Sequence, residues 1–221
     1  MAPSLTHDRS RWIKHLEALT RPVLKGVPFE APPAVRAEYI ETFRDEFGNR
    51  RASDRPFLCH MLGVTVPMER DSEAMGLDER LWWCVARCEP LPAGLIAPID
   101  GLLPDPDSLA IEYRTMVELG ALHAFWALSM RDGGMSLRQR ALDAARWHIQ
   151  ELQPDNAINR PWGLPVFLQL SFCDTDESVA QTAQLHAQTL LHNACINFGK
   201  PDLLSAMILH NAAQMLEASA Q

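Results

Sequence analysis

The chain has 221 residues, of which 47% are hydrophobic and 22% charged; this balance is typical of a folded globular protein and excludes wholesale disorder. Its formal net charge of −8 disfavours a nucleic-acid-binding face, because neutralising phosphates requires clustered Lys and Arg. We therefore expect no nucleic acid as partner. No apolar run approaches the roughly 20 residues that span a bilayer, so we expect no membrane as partner either.

The five cysteines have no spacing typical of a disulfide framework. The first residues, MAPSLTHDRSRW, are polar and contain no apolar stretch of the kind found in secretory signals. We therefore expect reduced thiols and a cytoplasmic location.

The N-terminal part of the chain contains two predicted helices joined by a proline-rich connector. Apolar residues at helical spacing predict the first helix over residues 8–19 and the second over 34–47, where Gly48 follows as a stop. Residues 20–33 contain four prolines and are expected to lack regular structure. The basic residues near the end of the second helix are Arg44, Arg50, Arg51 and Arg55. We interpret them as a solvated face, with an anion site as the alternative.

The middle of the chain changes from helical patterns to a proline-rich one. Residues 57–66, FLCHMLGVTV, fit a short helix or a strand, since periodicity alone does not decide between them. A helix is predicted over 78–88, and its adjacent Trp82 and Trp83 cannot both face inward, so one of them is expected at an interface. Residues 89–107 hold five prolines among many apolar residues, which predicts an irregular segment packed along the helical body.

Four helices are predicted in the second half of the chain, over about residues 108–131, 137–152, 177–198 and 201–218. Ser108 is expected to cap the first, and capping boxes that begin at Ser136 and Asp174 are expected to start the next two. Residues 109–152 and 177–218 therefore each fit two antiparallel helices, which alanine-rich faces allow to approach closely. This pairing resembles the architecture of α/α-toroid and other helical-hairpin proteins.

The predicted fold class is all-α, with antiparallel helical hairpins (α/α-toroid-like or helical-repeat-like) in the C-terminal half and an irregular proline-rich segment before them. Residues 1–107 supply the N-terminal helices and the wrapping segment, and residues 108–221 supply the helical-hairpin body. The two parts are expected to form one compact unit. A faint internal repeat supports the hairpins, since a shift of 44 positions sets His148 on His192.

The loop over residues 153–163, QPDNAINRPWG, joins a helix to an apolar segment and is the predicted site. The candidate catalytic residues are His148, Asp155 and Arg160. The candidate ligand-binding residues are Asn156, Asn159, Trp162, His123 and His192. In this hypothesis Arg160 anchors an anion or hydroxyl group and Trp162 stacks on a small polar or sugar-like ligand. In the alternative, the loop only turns the chain and His148 is a hydrogen-bonded core residue.

No motif identifies a reaction: the chain has no glycine-rich phosphate loop, G-x-S-x-G elbow or H-E-x-x-H pair, and it indicates no metal or cofactor. The favoured function is a protein-interaction or self-assembly module with a small polar pocket, which forms a homo-oligomer or binds a protein partner. It predicts that the central polar residues satisfy only backbone groups and that Trp82 or Trp83 lies exposed. The alternative is a carbohydrate-directed lyase or hydrolase of α/α-toroid type, which requires the candidate catalytic residues and Trp162 to converge on one cleft.

Overall fold

Helices account for the regular structure in the residues that the computed structural model describes, which are 8–65, 75–105, 109–131, 134–152 and 159–219. They are α1 (Arg9–Thr20), α2 (Pro33–Thr42), α3 (Asp54–Leu62), α4 (Leu77–Ala86), α5 (Ile111–Arg131), α6 (Met135–Glu151), α7 (Leu164–Cys173), α8 (Glu177–Cys195) and α9 (Leu203–Ala218). A 3-10 turn, Leu24–Gly26, lies in the predicted connector. The prediction of an all-α fold is confirmed. Among the described residues, no helix combines the length and apolar character needed to cross a membrane.

Local hydrogen bonds and backbone geometry explain where the first and third helices begin and end. The carboxylate of Asp8 accepts hydrogen bonds from the amides of Ser10 and Arg11 and so caps α1. The stretch that fitted either a helix or a strand is helical as far as Leu62. It stops at Gly63, whose φ of 58° lies in the left-handed region that glycine adopts without strain.

The second helix is shorter than predicted. It ends at Thr42 rather than at residue 47, because the carboxylate of Asp45 accepts hydrogen bonds from the amides of Phe47 at 3.0 Å and Asn49 at 2.7 Å. These bonds hold a polar turn, which replaces the last turn of the expected helix. The turn keeps Asp45 available for the ion pair described below.

Both predicted capping boxes are misplaced. Ser136 lies inside the first turn of α6, whose N-cap is Gly134. Asp176, rather than Asp174, caps α8 by accepting hydrogen bonds from the amides two and three residues later. Asp174 instead accepts a hydrogen bond from the amide of Asp176 at 2.9 Å. The cap predicted at Ser108 lies outside the described residues.

The helix α7 lies at the centre of the helical body. Its residues from Leu164 to Leu168 are all buried, and it packs against α5, α6, α8 and α9. α5 and α6 pack together as predicted, but α8 packs mainly against α7, while α9 packs mainly against α1. The predicted pairing of α8 with α9 is therefore wrong. An apolar helix such as α7 must be covered on several sides, and it separates these two helices.

Both tryptophans of α4 are buried, which contradicts the prediction that one of them would be exposed. Trp82 packs edge-on against Phe57, with ring centroids 4.9 Å apart. Trp83 faces another side of the helix, where the guanidinium carbon of Arg55 lies 6.0 Å from a ring centroid of the indole. Because α4 packs against both α3 and α5, and Arg55 covers the second ring, the two indoles are enclosed from different directions.

The proline-rich segment is irregular from residue 89 to 105, as predicted, and side chains of two helices hold it on the body of the protein. The carboxylate of Glu118 in α5 accepts hydrogen bonds from the amides of Leu102 and Leu103, each at 2.9 Å. Arg140 of α6 donates to the carbonyl oxygens of Ala97, Ile99, Asp100 and Gly101. The backbone of this segment therefore finds many of its hydrogen-bond partners in α5 and α6, and it adds turn hydrogen bonds of its own, such as that from the amide of Ala97 to the carbonyl oxygen of Leu102 at 2.9 Å.

Candidate functional site

Two of the predicted site residues, His123 and Trp162, lie together in the interior. Their ring centroids are 5.4 Å apart, and their side chains are 0% and 1% exposed. Nδ1 of His123 accepts a hydrogen bond from the amide of Gly163 at 3.3 Å. Phe57 and Trp82 pack against Trp162 and complete an aromatic cluster. Trp162 is therefore enclosed by protein rather than placed as a surface for a stacking ligand.

His148 lies in another part of the core, beside a carboxylate. Its Nε2 is 3.5 Å from Oε2 of Glu118, and neither side chain is exposed. The ring of Phe167 contacts both His148 and a second histidine, His186, with centroids 6.2 Å and 4.3 Å apart. His186 is buried in α8 and was not among the predicted site residues. The signal for it in the sequence is its position beside Ala187 on the alanine-rich face of that helix.

Burial controls the protonation of these groups. It lowers the pKa of His123 to about 3 and that of His186 to about 3, because a charged imidazole in the core would lose its hydration. Burial alone would raise the pKa of Glu118. The neighbouring imidazole of His148 and two backbone amides outweigh it, so the pKa of this carboxyl lies below its usual value.

Arg160 already has partners within the protein. One Nη atom is 2.8 Å from Oδ2 of Asp45, and the other contacts Oδ2 of Asp202. The same guanidinium donates to Oγ of Ser205 at 3.2 Å. Arg160 thus joins the turn after α2 to the start of α9, and a bound anion would have to compete with two carboxylates for it.

The remaining candidates lie apart from the buried histidines. His192 is exposed on α8, and Asn159 is exposed, with its backbone oxygen accepting a hydrogen bond from Ser205 at 3.5 Å. Asp155 and Asn156 lie outside the described residues. In the described ranges, no group of three His, Cys, Asp or Glu side chains could hold a metal ion. The described candidates thus contact different partners, and their catalytic and ligand-binding roles stay predictions.

An accessible cavity of about 270 Å³ lies where the segment before α3 meets α4. It is lined by Arg50, Arg51, Ala52, Arg55, Met75, Glu79 and Trp83, and we call it the arginine pocket. Its three arginines are half-buried, which corrects the interpretation of this basic stretch as a solvated face. Guanidinium groups that converge beside an aromatic ring are suited to a carboxylate or phosphate.

Contacts within the protein hold two of these arginines in position. The amide of Arg51 donates to Oδ2 of Asp54 at 2.7 Å, and its Nη2 lies 3.1 Å from Oδ2 of Asp78. Nε and Nη2 of Arg55 both donate to one oxygen of Glu41, at 3.1 and 2.8 Å. The guanidinium groups are thereby preorganised, which reduces the entropy that a ligand would lose on ordering them.

Two N–H groups of the arginine pocket have no acceptor in the described part of the chain. They are Nη2 of Arg50 and Nη1 of Arg51, and both atoms are buried. Nη1 of Arg50 donates to the backbone oxygen of Glu41 at 2.9 Å, and Arg50 forms no ion pair with another described residue. Burial lowers the pKa of Arg50, against the opposing effect of the Glu41 charge. A buried cationic donor without an acceptor is unfavourable, and a bound oxyanion would supply one.

The three arginines of the pocket are visible in the sequence, but their convergence with Trp83 on one cavity was not predicted. In the sequence, only the spacing of the arginines indicates the pocket: Arg50 and Arg51 are adjacent, and Arg55 follows one helical turn later. Trp83 belongs to a different helix, and only the packing of α4 against α3 brings it to the same cavity.

Comparisons of the chain with protein-family models, with curated proteins and with solved structures gave no significant match.

Proposed function

We propose that this protein is a helical binding module whose small polar pocket is the arginine pocket, and that the pocket takes a carboxylate or phosphate group. The observation that carries the proposal is the pair of buried N–H groups, on Arg50 and Arg51, that lack an acceptor among the described residues, on side chains that line a cavity. An oxyanion there would form charge-assisted hydrogen bonds with both, and such bonds are about twice as strong as neutral ones.

The alternative function, a carbohydrate-directed lyase or hydrolase, has weaker support. His148 is fully buried against Glu118, and Arg160 is paired with Asp45 and Asp202. A general acid or base must come within hydrogen-bond reach of the substrate proton, and an enclosed imidazole does not offer this. Arg50 and Arg51 differ from His148 in that both residues are half-buried and line a cavity.

Titration calorimetry with inorganic phosphate at low ionic strength tests the proposal. We expect the wild type to bind phosphate and Arg50→Gln to bind it at least about tenfold more weakly, because the variant loses a charged donor. The matched control is Arg44→Gln, which removes the same charge from the same basic stretch. Arg44 is exposed and does not line the pocket, so its loss should change the affinity by less than about twofold.

The circular dichroism and the thermal midpoint without ligand establish that each variant is folded. Equal weakening by Arg50→Gln and Arg44→Gln would mean that phosphate is attracted to the basic stretch in general, and the proposal would be overturned. Absence of phosphate binding to the wild type would overturn it as well.

Self-assembly is a second proposal, and one surface feature favours it. Phe47 is 58% exposed and Phe198 50%, and their ring centroids are 6.1 Å apart. Adjacent exposed aromatic rings are enriched at protein interfaces. Sedimentation equilibrium should then give a dimer for the wild type and a monomer for Phe198→Ser. Ile99→Ser, which replaces an isolated side chain that is 70% exposed, is the control and should remain dimeric.

A further inference from the structure

A second and larger cavity adjoins the arginine pocket. It has a volume of about 450 Å³ and shares two lining residues, Met75 and Trp83, with that pocket. We call it the Trp83 groove, and it is lined by Met75, Arg80, Trp83, Cys84, Arg87, Glu89, Pro92 and Leu95. The shared residues make Trp83 the boundary between a cationic compartment and a mostly apolar one.

The geometry of α4 places the two cavities side by side. Successive residues of an α-helix are rotated by about 100°, so Trp83 lies about 40° around the helix from Glu79, which lines the arginine pocket. By the same rule, Arg80, Arg87 and Cys84 lie about 80° to 140° from Glu79, on the next stripe of the helix surface. Trp83 stands between the two stripes, as its presence in both linings requires.

The chemistry of the groove differs from that of the arginine pocket. Trp83, Cys84 and Leu95 are buried apolar residues of its wall, and burial raises the pKa of the Cys84 thiol, which keeps it neutral. The guanidinium of Arg87 is paired with Glu89 at 3.0 Å, and both side chains are at least 35% exposed, so this pair lies at the rim. Arg80 also lines the groove and is half-buried, so the wall offers an apolar surface to the body of a ligand, with one further cation beside it.

The volumes support one site rather than two. Cavities that bind small molecules usually measure about 300–1,000 Å³. The arginine pocket, at about 270 Å³, falls just below this range and has room for a small anionic group with little attached to it. Together with the groove it falls within the range, so a ligand that occupies both would be enclosed as small-molecule ligands generally are.

We propose that the arginine pocket and the Trp83 groove form one site for an amphipathic organic acid. The oxyanion binds Arg50 and Arg51, and an aromatic or aliphatic body passes Trp83 and lies against Leu95. This inference rests on the proposed function, because it identifies the class of ligand for the same pocket.

The test compares inorganic phosphate with 1-naphthyl phosphate, which carries the same anionic group on an apolar body. Titration calorimetry should give an affinity for naphthyl phosphate at least about tenfold higher, since burial of the rings against Trp83 adds to the contacts of the head group. Leu95→Asn should reduce this advantage to about twofold or less, with phosphate binding unchanged. The matched control is Leu91→Asn, the same substitution in the same segment at a half-buried residue outside the groove lining, and it should preserve the advantage.

The outcomes separate the inference from the proposed function. If the wild type binds both compounds equally and Arg50→Gln weakens both, the arginine pocket binds the head group alone and the amphipathic ligand is ruled out. If Leu91→Asn and Leu95→Asn reduce the advantage equally, the groove has no part in binding and the inference also fails. If neither compound binds the wild type, the proposed function itself fails.

Discussion

The carboxylate of Glu118 lies 3.5 Å from Nε2 of His148, and both side chains are fully enclosed by protein. The same carboxylate accepts the amide hydrogens of Leu102 and Leu103. It therefore connects the centre of α5 with α6 on one side and with the proline-rich segment on the other. A negative charge in the core costs free energy unless it is hydrogen-bonded in this way, so the three contacts depend on one another.

The first prediction concerns this carboxylate. Glu118→Gln should lower the free energy of unfolding by about 2–3 kcal/mol, because the two backbone amides lose a charged acceptor and the new side-chain NH2 group, itself a donor, faces the amide of Leu102 where Oε2 now accepts. Urea denaturation measures the loss, and amide hydrogen exchange at Leu102 and Leu103 should become faster. Glu112→Gln, an exposed change on the same helix, should cost less than about 0.5 kcal/mol. Equal losses in the two variants would contradict a clamping role for Glu118.

The second prediction uses the close approach of the proline-rich segment to α5 and α6. A Cβ atom at position 101 would lie 2.5 Å from Oε1 of Glu118 and 2.8 Å from Cζ3 of Trp147. Gly101→Ala should therefore destabilise the protein by about 1–3 kcal/mol in urea denaturation. Gly26→Ala is the control, since a Cβ there meets nothing within 4 Å. It should be neutral or stabilising by up to about 1 kcal/mol, because alanine restricts the unfolded chain.

Much of the fold could be predicted from the sequence because it depends on local patterns. The apolar spacing and the prolines located most of the helices and the irregular segment between residues 89 and 105 within a few residues. They left α3 open between a helix and a strand, and they indicated α7 only as an apolar segment. Errors arose where a side chain competes for the backbone, as Asp45 does after Thr42. Another error arose at α4, where one of Trp82 and Trp83 was predicted to be exposed. Neighbouring parts of the protein cover this helix on two sides, so both side chains are buried.

The candidate site was harder to predict because it depends on which helices meet. Periodicity shows that one face of α4 is apolar, but it does not show that Trp83 lines the same cavity as Arg50 and Arg51. It placed His148 on an apolar face without revealing the carboxylate of Glu118 opposite it. These contacts join residues far apart in the chain, and a single sequence carries no direct record of them.

The third prediction concerns Arg160. Arg160→Ala should lower the free energy of unfolding by about 2 kcal/mol or more, because Asp45 and Asp202 would be left facing each other, mostly buried, without a cation. Arg146→Ala is the control: that guanidinium is 34% exposed, its partner Asp143 is 52% exposed, and its other partner, Asp174, keeps the hydrogen bond from the amide of Asp176. Ion pairs of this kind contribute about 1 kcal/mol or less. Urea denaturation compares the two variants, and a larger loss for Arg146→Ala would contradict the assignment of Arg160 as a structural link.

The fourth prediction concerns the pH dependence of stability. The pKa of His186 falls from its usual 6.5 to about 3 on burial, so the unfolded chain takes up a proton between these values and the folded chain does not. Stability must therefore decrease as the pH is lowered through this window, by up to about 1.4 kcal/mol per pH unit for each such histidine. His123 adds a contribution of the same sign. The pKa of Glu118 is lowered in the folded protein, so its ionised form stabilises the fold. That stabilisation is lost at lower pH, where carboxyl groups become protonated.

Urea denaturation between pH 7 and pH 5 tests the histidine contribution by comparing wild type and variants. Burial also raises the pKa of the Asp54 and Asp78 carboxyl groups, and their effect on the slope is common to all of these proteins. In the wild type, the free energy of unfolding should fall steadily across this range. His186→Gln should reduce the slope by about 1 kcal/mol per pH unit averaged over this range, since glutamine takes up no proton in the unfolded chain. His192→Gln alters the same helix at an exposed position and should leave the slope as it is. If His186→Gln and the wild type gave the same slope, His186 would be protonated alike in the folded and unfolded chains, and its enclosure beside Phe167 would not control its charge.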